Sequence, residues 1–265
     1  MKRTISVAFT IAALCSLFLP AIIAPVNAAA AGYSHMVYPL QNDVTFDGKW
    51  TGTNEWTDGE LTPFGTTALF VSKWGPFVDA STVPQYFLVE ILNDNTNDQG
   101  DYWQFCFDGD MSGGATPQGG DVRIDIAGHN NVTFYQGTGT GWAPMATPGA
   151  GDFQWSNSMS TSPYSSASHW ILELRFNKPP LSIGPQYWAR VAVFDASSGA
   201  VVKSWPPTSR DVPSDWGDFP YSSTAIPESS SFSAVLLLSS VAVLVGYFFF
   251  RKKKIGNLAN NRLVR

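Results

Sequence analysis

Apolar and polar residues alternate with period two in several short stretches, and these set the plan of the chain. Trp103, Phe105 and Phe107 alternate with Gln104, Cys106 and Asp108, and Val122, Ile124 and Ile126 with Asp121, Arg123 and Asp125. Trp170, Leu172, Leu174 and Phe176 face one way, with Glu173 and Arg175 facing the other. Such alternation marks strands with one buried face. Tyr86–Leu92 is apolar except for Glu90, as in a strand buried deep in a sheet. Thr66–Trp74, Val132–Gln136, Tyr187–Phe194 and Ala200–Trp205 are further strand candidates, Tyr33–Val44 holds a first one, and Phe153–Trp155 is a strand end. Asp47–Glu60, Gly75–Pro84, Met111–Gly120, Gly137–Gly151, Ser156–Ser168, Lys178–Pro185 and Pro206–Pro220 are rich in Gly, Pro, Ser, Asn or Asp and predict loops. A 3.6-residue apolar period is missing throughout. About nine short strands with such turns predict an all-β fold, an antiparallel two-sheet β-sandwich of jelly-roll or immunoglobulin-like type over residues 33–221.

The two flanks have a different pattern. Lys2 and Arg3 precede an apolar run from Ile5 to Ala24, and small residues at Val26-Asn27-Ala28 mark a cleavage site, so residues 1–28 are expected to be a secretory signal peptide. Cys15 is discarded with it. Residues 222–231 form a Ser-rich stalk, and Phe232–Phe250 is an uncharged apolar run. As a helix that run would span roughly 28 Å, close to the thickness of a bilayer core. Arg251-Lys252-Lys253-Lys254 follows at once, and positive charge on that side keeps residues 251–265 in the cytoplasm. The expectation is a single-pass cell-membrane protein with an extracellular ectodomain and one C-terminal transmembrane helix.

Removing the flanks changes the charge. Of 16 Lys and Arg, eight lie in the flanks, whereas all 21 Asp and Glu lie between Asp43 and Glu228, so the exported part carries a net −13. That balance excludes a nucleic-acid partner, whose phosphates need a basic face, and it permits cation binding. Cys106 is left alone, so no internal disulfide forms and the thiol is expected to be buried and inert.

Candidate chemistry falls into two groups. Seven Asp and one Arg lie between Asp94 and Asp125. Ca²⁺ takes six to eight oxygens, and acids two apart in a turn supply several. Asp94, Asp98, Asp101, Asp108 and Asp110 are therefore candidate Ca²⁺ ligands, although the EF-hand pattern is absent. The second group is aromatic. Ten Trp are present, and a ring face can stack on a pyranose while Asn, Gln and Asp bond its hydroxyls. Trp142 is the first candidate for binding a sugar, with Trp74 or Trp103 as partner, whereas Trp56, Trp155 and Trp170 are assigned to the core. His35, His129 and His169 have no metal-ligand spacing and are expected on the surface. No catalytic motif is present, and Glu55, Glu60, Glu90 and Glu173 have structural readings.

The order of these pieces resembles carbohydrate-binding module family 9-like domains, relatives of the DOMON sandwich. The residues that carry the likeness are Asp47-Gly48 with Glu55-Trp56, Tyr86–Asp94, Trp103–Gly114, Asp121–Ile126, Gly137–Trp142 and Trp170–Phe176. The resemblance implies a β-sandwich that binds a polysaccharide or glycan through paired Trp residues, with structural Ca²⁺. It also brings in haem, which DOMON relatives can hold through Met and His; Met111 or Met145 with His129 or His169 has no diagnostic spacing, and haem is disfavoured. Ile226-Pro227-Glu228, the apolar run and the basic cluster resemble the sorting tails of microbial surface proteins; a retained membrane anchor is preferred. The expected function is a non-catalytic, membrane-anchored carbohydrate-binding module. The alternatives are a surface adhesion protein that binds other surface proteins, or an accessory domain of polysaccharide degradation.

Overall fold

A computed structural model describes residues 30, 32–77, 83–199 and 201–226. The expected signal peptide, transmembrane helix, basic tail and end of the stalk lie outside the described residues. Among those described, no helix is long and apolar enough to cross a membrane.

Among the described residues, thirteen strands form two sheets, mostly antiparallel. The first contains β1 (Tyr38–Pro39), β2 (Glu60–Phe64), β3 (Ala68–Trp74), β4 (Pro84–Ile91), β9 (Phe153–Ser162) and β10 (Ser165–Asn177), in the order β9-β10-β4-β3, with β1 and β2 sharing the far edge of β3. The second contains β5 (Tyr102–Asp108), β6 (Asp121–Ala127), β7 (Asn131–Gly137), β8 (Trp142–Met145), β11 (Tyr187–Phe194), β12 (Lys203–Trp205) and β13 (Gly217–Phe219), in the order β8-β7-β6-β5-β11, with β12 and β13 sharing the edge of β11. Their inner faces meet as a sandwich. Phe87 and Phe176 of the first sheet pack on Phe105 and Phe107 of the second, with ring centroids 5.0–5.9 Å apart for Phe87–Phe105, Phe87–Phe107 and Phe107–Phe176. At one edge the N-terminal segment joins the sheets, pairing in parallel with the last strands through Ser34–Asp218 and Val37–Tyr221 and then with β3.

The outer face of the first sheet is also buried. Residues 42–58 lie across it, and Trp56 packs on Leu69, Val71, Leu88 and Ile171. Three charged side chains rise from adjacent strands to hold this cover. Lys73 Nζ donates to Asn42 O, Glu55 O and Asp58 Oδ1. Glu173 accepts the N–H groups of Asp47 and Gly48 and the Trp56 indole N–H. Glu90 accepts the Trp50 indole N–H and the Ser162 hydroxyl and pairs with His169 at 2.8 Å. Gly48 has φ +75°, and a Cβ there would lie 2.3 Å from the backbone of Asn157, so this contact requires glycine.

The observed structure corrects four local expectations. Ser156–Ser168 is not a loop: it forms most of a hairpin, β9 to β10, turning at Pro163-Tyr164. Its serines escape the strand pattern because an edge strand keeps its polar side chains in solvent. Tyr33–Val44 supplies only a two-residue strand, β8 and β13 arise in segments assigned to turns, and β2 runs from the last turn residue, Glu60, into residues given no element. Glu173 does point away from the core but is fully buried under the cover. All three histidines are buried rather than on the surface. His35, between Thr62 Oγ1 and Ser72 Oγ, is pushed down to about 3 by burial and stays neutral.

The Lys73–Asp58 pair measures 2.8 Å with both partners buried. Asp58→Ala leaves the ammonium unpaired, and is expected to cost about 3–5 kcal/mol in urea denaturation. A loss below about 1 kcal/mol, the range of exposed pairs, would show that this contact does not hold the cover.

Candidate functional site

Antiparallel pairing brings distant segments to the two ends of the sandwich. At one end meet the end of β3, the start of β4, the ends of β5 and β10 and the start of β11. They enclose an open cavity of about 660 Å³ lined by Trp74, Phe77, Val83, Gly109–Met111, Lys178, Gly184–Gln186 and Tyr221. That volume suits a small ligand. The Trp74 ring lies 6.3 Å from that of Tyr221, and its indole N–H donates to Ser222 O. Phe77 is 66% exposed. The far wall is backbone: Gly184 N donates to Gly109 O, and a Cβ on Gly184 would come within 2.6 Å of that oxygen.

An acidic cluster adjoins this cavity. Ligand atoms of Asp108, Asp110 and Asp121 lie within 4.8 Å of one another. Asp108 accepts from Ser112 N and Gly113 N, and Asp121 Oδ2 accepts from Gln118 N, whereas the buried Asp121 Oδ1 has no hydrogen-bond partner. Burial first, and the neighbouring carboxylates second, push Asp121 up to about 7. Asp108 is pushed up to about 6, again chiefly by burial, and the N–H groups it accepts work against the shift. Asp110 Oδ1 accepts from Ser112 N, and this side chain is lowered because hydrogen bonds outweigh burial.

A second cluster lies at the opposite end of β5, a seven-residue strand, and hence roughly 20 Å away. Asp94, Asp101 and His129 converge there, all buried. His129 Nε2 pairs with Asp101 at 2.9 Å and its ring stacks on Trp170 at 3.7 Å. Asp94 Oδ2, His129 Nδ1 and the neighbouring Asp195 Oδ2 are buried without hydrogen-bond partners. Asp94 is pushed up to about 6, mainly by burial, with Asp101 and Asp195 adding repulsion. Three carboxylates at the first cluster, and two carboxylates with one imidazole at the second, are the groups that could hold a cation, with further ligands needed to complete its shell.

The five expected acids therefore fall into two groups. Asp94 and Asp101 are together, Asp108 and Asp110 are together, and Asp98 joins neither: its carboxylate accepts from Thr96 and its N–H donates to Asp101. Asp121, His129 and Asp195 were missed, since each reaches its cluster from another strand or loop. The three expected Trp residues share no cleft. Trp103 is fully buried between the sheets and presents no face to a ligand, which corrects its assignment to binding. Trp142 lies on the outer face of the second sheet, stacked on Trp216 with its indole N–H on Asp211 and Arg123 over its ring. Only Trp74 lines the cavity. Cys106 is buried beneath Trp142 and Trp216, and burial raises its thiol well above the ordinary range.

No protein-family model matches the sequence, and no curated protein does. Two solved structures similar to the chain are of a carbohydrate-binding module of family 9 from Caldicellulosiruptor kristjanssonii, one in complex with cellotriose and one with glucose. The first has TM-score 0.46 and 16% identity, covering 73% of this chain and 97% of that one. The second has TM-score 0.46 and 15% identity, covering 73% and 99%.

The raised Asp121 sets a pH dependence. With no cation bound, the folded state holds a proton that the unfolded chain has released between about pH 4 and 7, so stability falls as pH rises through that window. In chelator, Asp121→Asn is expected to raise the melting temperature clearly more at pH 8 than at pH 5, measured by differential scanning fluorimetry. An equal change at both values would show that repulsion within the cluster is not the cause.

Proposed function

We propose that this protein is a non-catalytic carbohydrate-binding module that takes a sugar in the cavity at Trp74, with Ca²⁺ seated in the acidic clusters. The cavity carries the proposal: aromatic walls from Trp74, Phe77 and Tyr221 stand beside polar groups of Gln186, Asp110 and Lys178. That is the combination a pyranose requires, a ring face for its C–H groups and donors and acceptors for its hydroxyls. Binding is favoured over catalysis because, among the described residues, Asp110 is the one carboxylate that lines the cavity, where glycoside hydrolysis uses a facing pair, and Glu55, Glu90 and Glu173 are committed to holding the cover over the first sheet. Exposure at the cell surface on a C-terminal membrane helix is supported by the apolar runs at residues 5–24 and 232–250 with their flanking charges.

Cation binding follows from the same end of the fold. Asp110 belongs both to the cavity wall and to the cluster with Asp108 and Asp121, so an ion there would fix the wall against which the sugar rests.

Two measurements test these points. In isothermal titration with cello- and xylo-oligosaccharides, Trp74→Ala is expected to weaken binding at least tenfold, as loss of an aromatic anchor does, while Trp142→Ala leaves it unchanged. The reverse result would move the site to the outer face of the second sheet. Ca²⁺ is expected to raise the melting temperature at pH 8, and Asp121→Asn to remove part of that rise. An unchanged melting curve and no heat on titration would exclude the cation.

A further inference from the structure

Lys178 is the unusual group in the cavity. It is 3% exposed, yet among the described residues no carboxylate lies within ion-pair distance of it. An ammonium has three N–H donors. Two of them are used, on Pro185 O at 3.2 Å and on Tyr221 OH at 3.0 Å. Neither acceptor is an anion. The Tyr221 hydroxyl gives its own proton to Gln85 Oε1, and Gln85 in turn donates to Lys73 O, so the tyrosine is fixed as a neutral phenol. Pro185 and Tyr221, which hold the ammonium, line the cavity with it. The ammonium also lies 4.2 Å from the centre of the Tyr221 ring, a cation–π contact that supplies no negative charge. A buried charge with no anion beside it among the described residues is costly unless something in the bound state pairs with it.

We propose that the ligand is a neutral glycan bearing an isolated uronic acid, whose carboxylate pairs with Lys178 while its ring stacks against Trp74. The proposal rests on the sugar-binding role given to the cavity above, and it adds the class of sugar. A single ammonium on a flexible stem is a point charge suited to one carboxylate. Among the described residues the two charged side chains of the cavity differ in commitment: Asp110 is engaged by Ser112 N and by its own cluster, whereas Lys178 meets only neutral acceptors and the Tyr221 ring. Burial lowers Lys178 to about 8, which leaves it largely protonated at neutral pH. The whole surface limits the ligand further. Residues 30–226 hold eight Lys and Arg against 20 Asp and Glu, so a polyuronate is repelled as a chain. One acid on an otherwise neutral glycan meets the ammonium without that penalty.

The test titrates the full-length protein with three matched probes: a glucuronosyl-xylobiose, its methyl ester, and its carboxyl-reduced glucosyl counterpart. The acid is expected to bind roughly tenfold or more tightly than either neutral form, the scale of one charge-assisted contact, and Lys178→Gln to bring the acid down to the neutral forms. Equal binding of acid and ester to the unaltered protein would overturn the uronate assignment and leave the sugar site standing. A preference for the acid that survives in Lys178→Gln would overturn it equally. Binding of none of the three would overturn the uronate assignment and the sugar site together. The ester comparison needs no variant, so misfolding of Lys178→Gln cannot mask the result.

Discussion

The segment laid over the outer face of the first sheet depends on charges placed where a simple sandwich would have solvent. Lys73, Glu90 and Glu173 stand on three adjacent strands and point the same way. Each is buried, and each ends on groups of the cover: carbonyls of Asn42 and Glu55, N–H groups of Asp47 and Gly48, and indoles of Trp50 and Trp56. Taking such groups out of water is unfavourable unless nearly all their bonds are made. The sheet and its cover therefore specify each other. Without the cover, the outer face would present Leu69, Val71, Leu88 and Ile171 to solvent, Lys73 and Glu173 would lose the groups they bond to, and Glu90 would keep only His169 and Ser162.

The same antiparallel geometry concentrates chemistry at the ends. Strands that reverse side by side carry their loops to two poles, and residues far apart in the chain become neighbours there. One pole joins Trp74, Asp108, Asp121, Lys178 and Tyr221; the other joins Asp94, Asp101, His129 and Asp195. At both poles buried carboxylates repel one another, so each pole is poised to take up positive charge, either protons or a metal ion.

Much of this was legible in the sequence, for reasons that particular residues make plain. Strands β5, β6 and β10 were visible because one face of each is apolar and the other polar. Asp47-Gly48 and Glu55-Trp56 stood out as a signature, and the structure supplies its reason: these residues are the points at which the cover is tied to Glu173 and Lys73. What could not be read was long-range pairing. Asp121 reads as an ordinary solvent-facing strand residue, and only the β5–β6 register places it opposite Asp108. Lys178 reads as a surface lysine before two prolines. The Ser-rich strand β9 has no apolar pattern beyond Phe153 and Trp155 because it borders the sheet. Trp103 and Trp142 were indistinguishable from Trp74 by composition, since burial is decided by the opposing sheet.

Tyr221 ends the folded body and at the same time floors the cavity. Its hydroxyl holds Lys178 and Gln85, its neighbour Ser222 is bonded to Val37 and to the Trp74 indole, and residues 223–226 continue beyond them. A force applied to the chain on the C-terminal side of Ser222 would therefore reach the bonds of Trp74, Tyr221 and Lys178, which shape the pocket wall, before it reached the sheets.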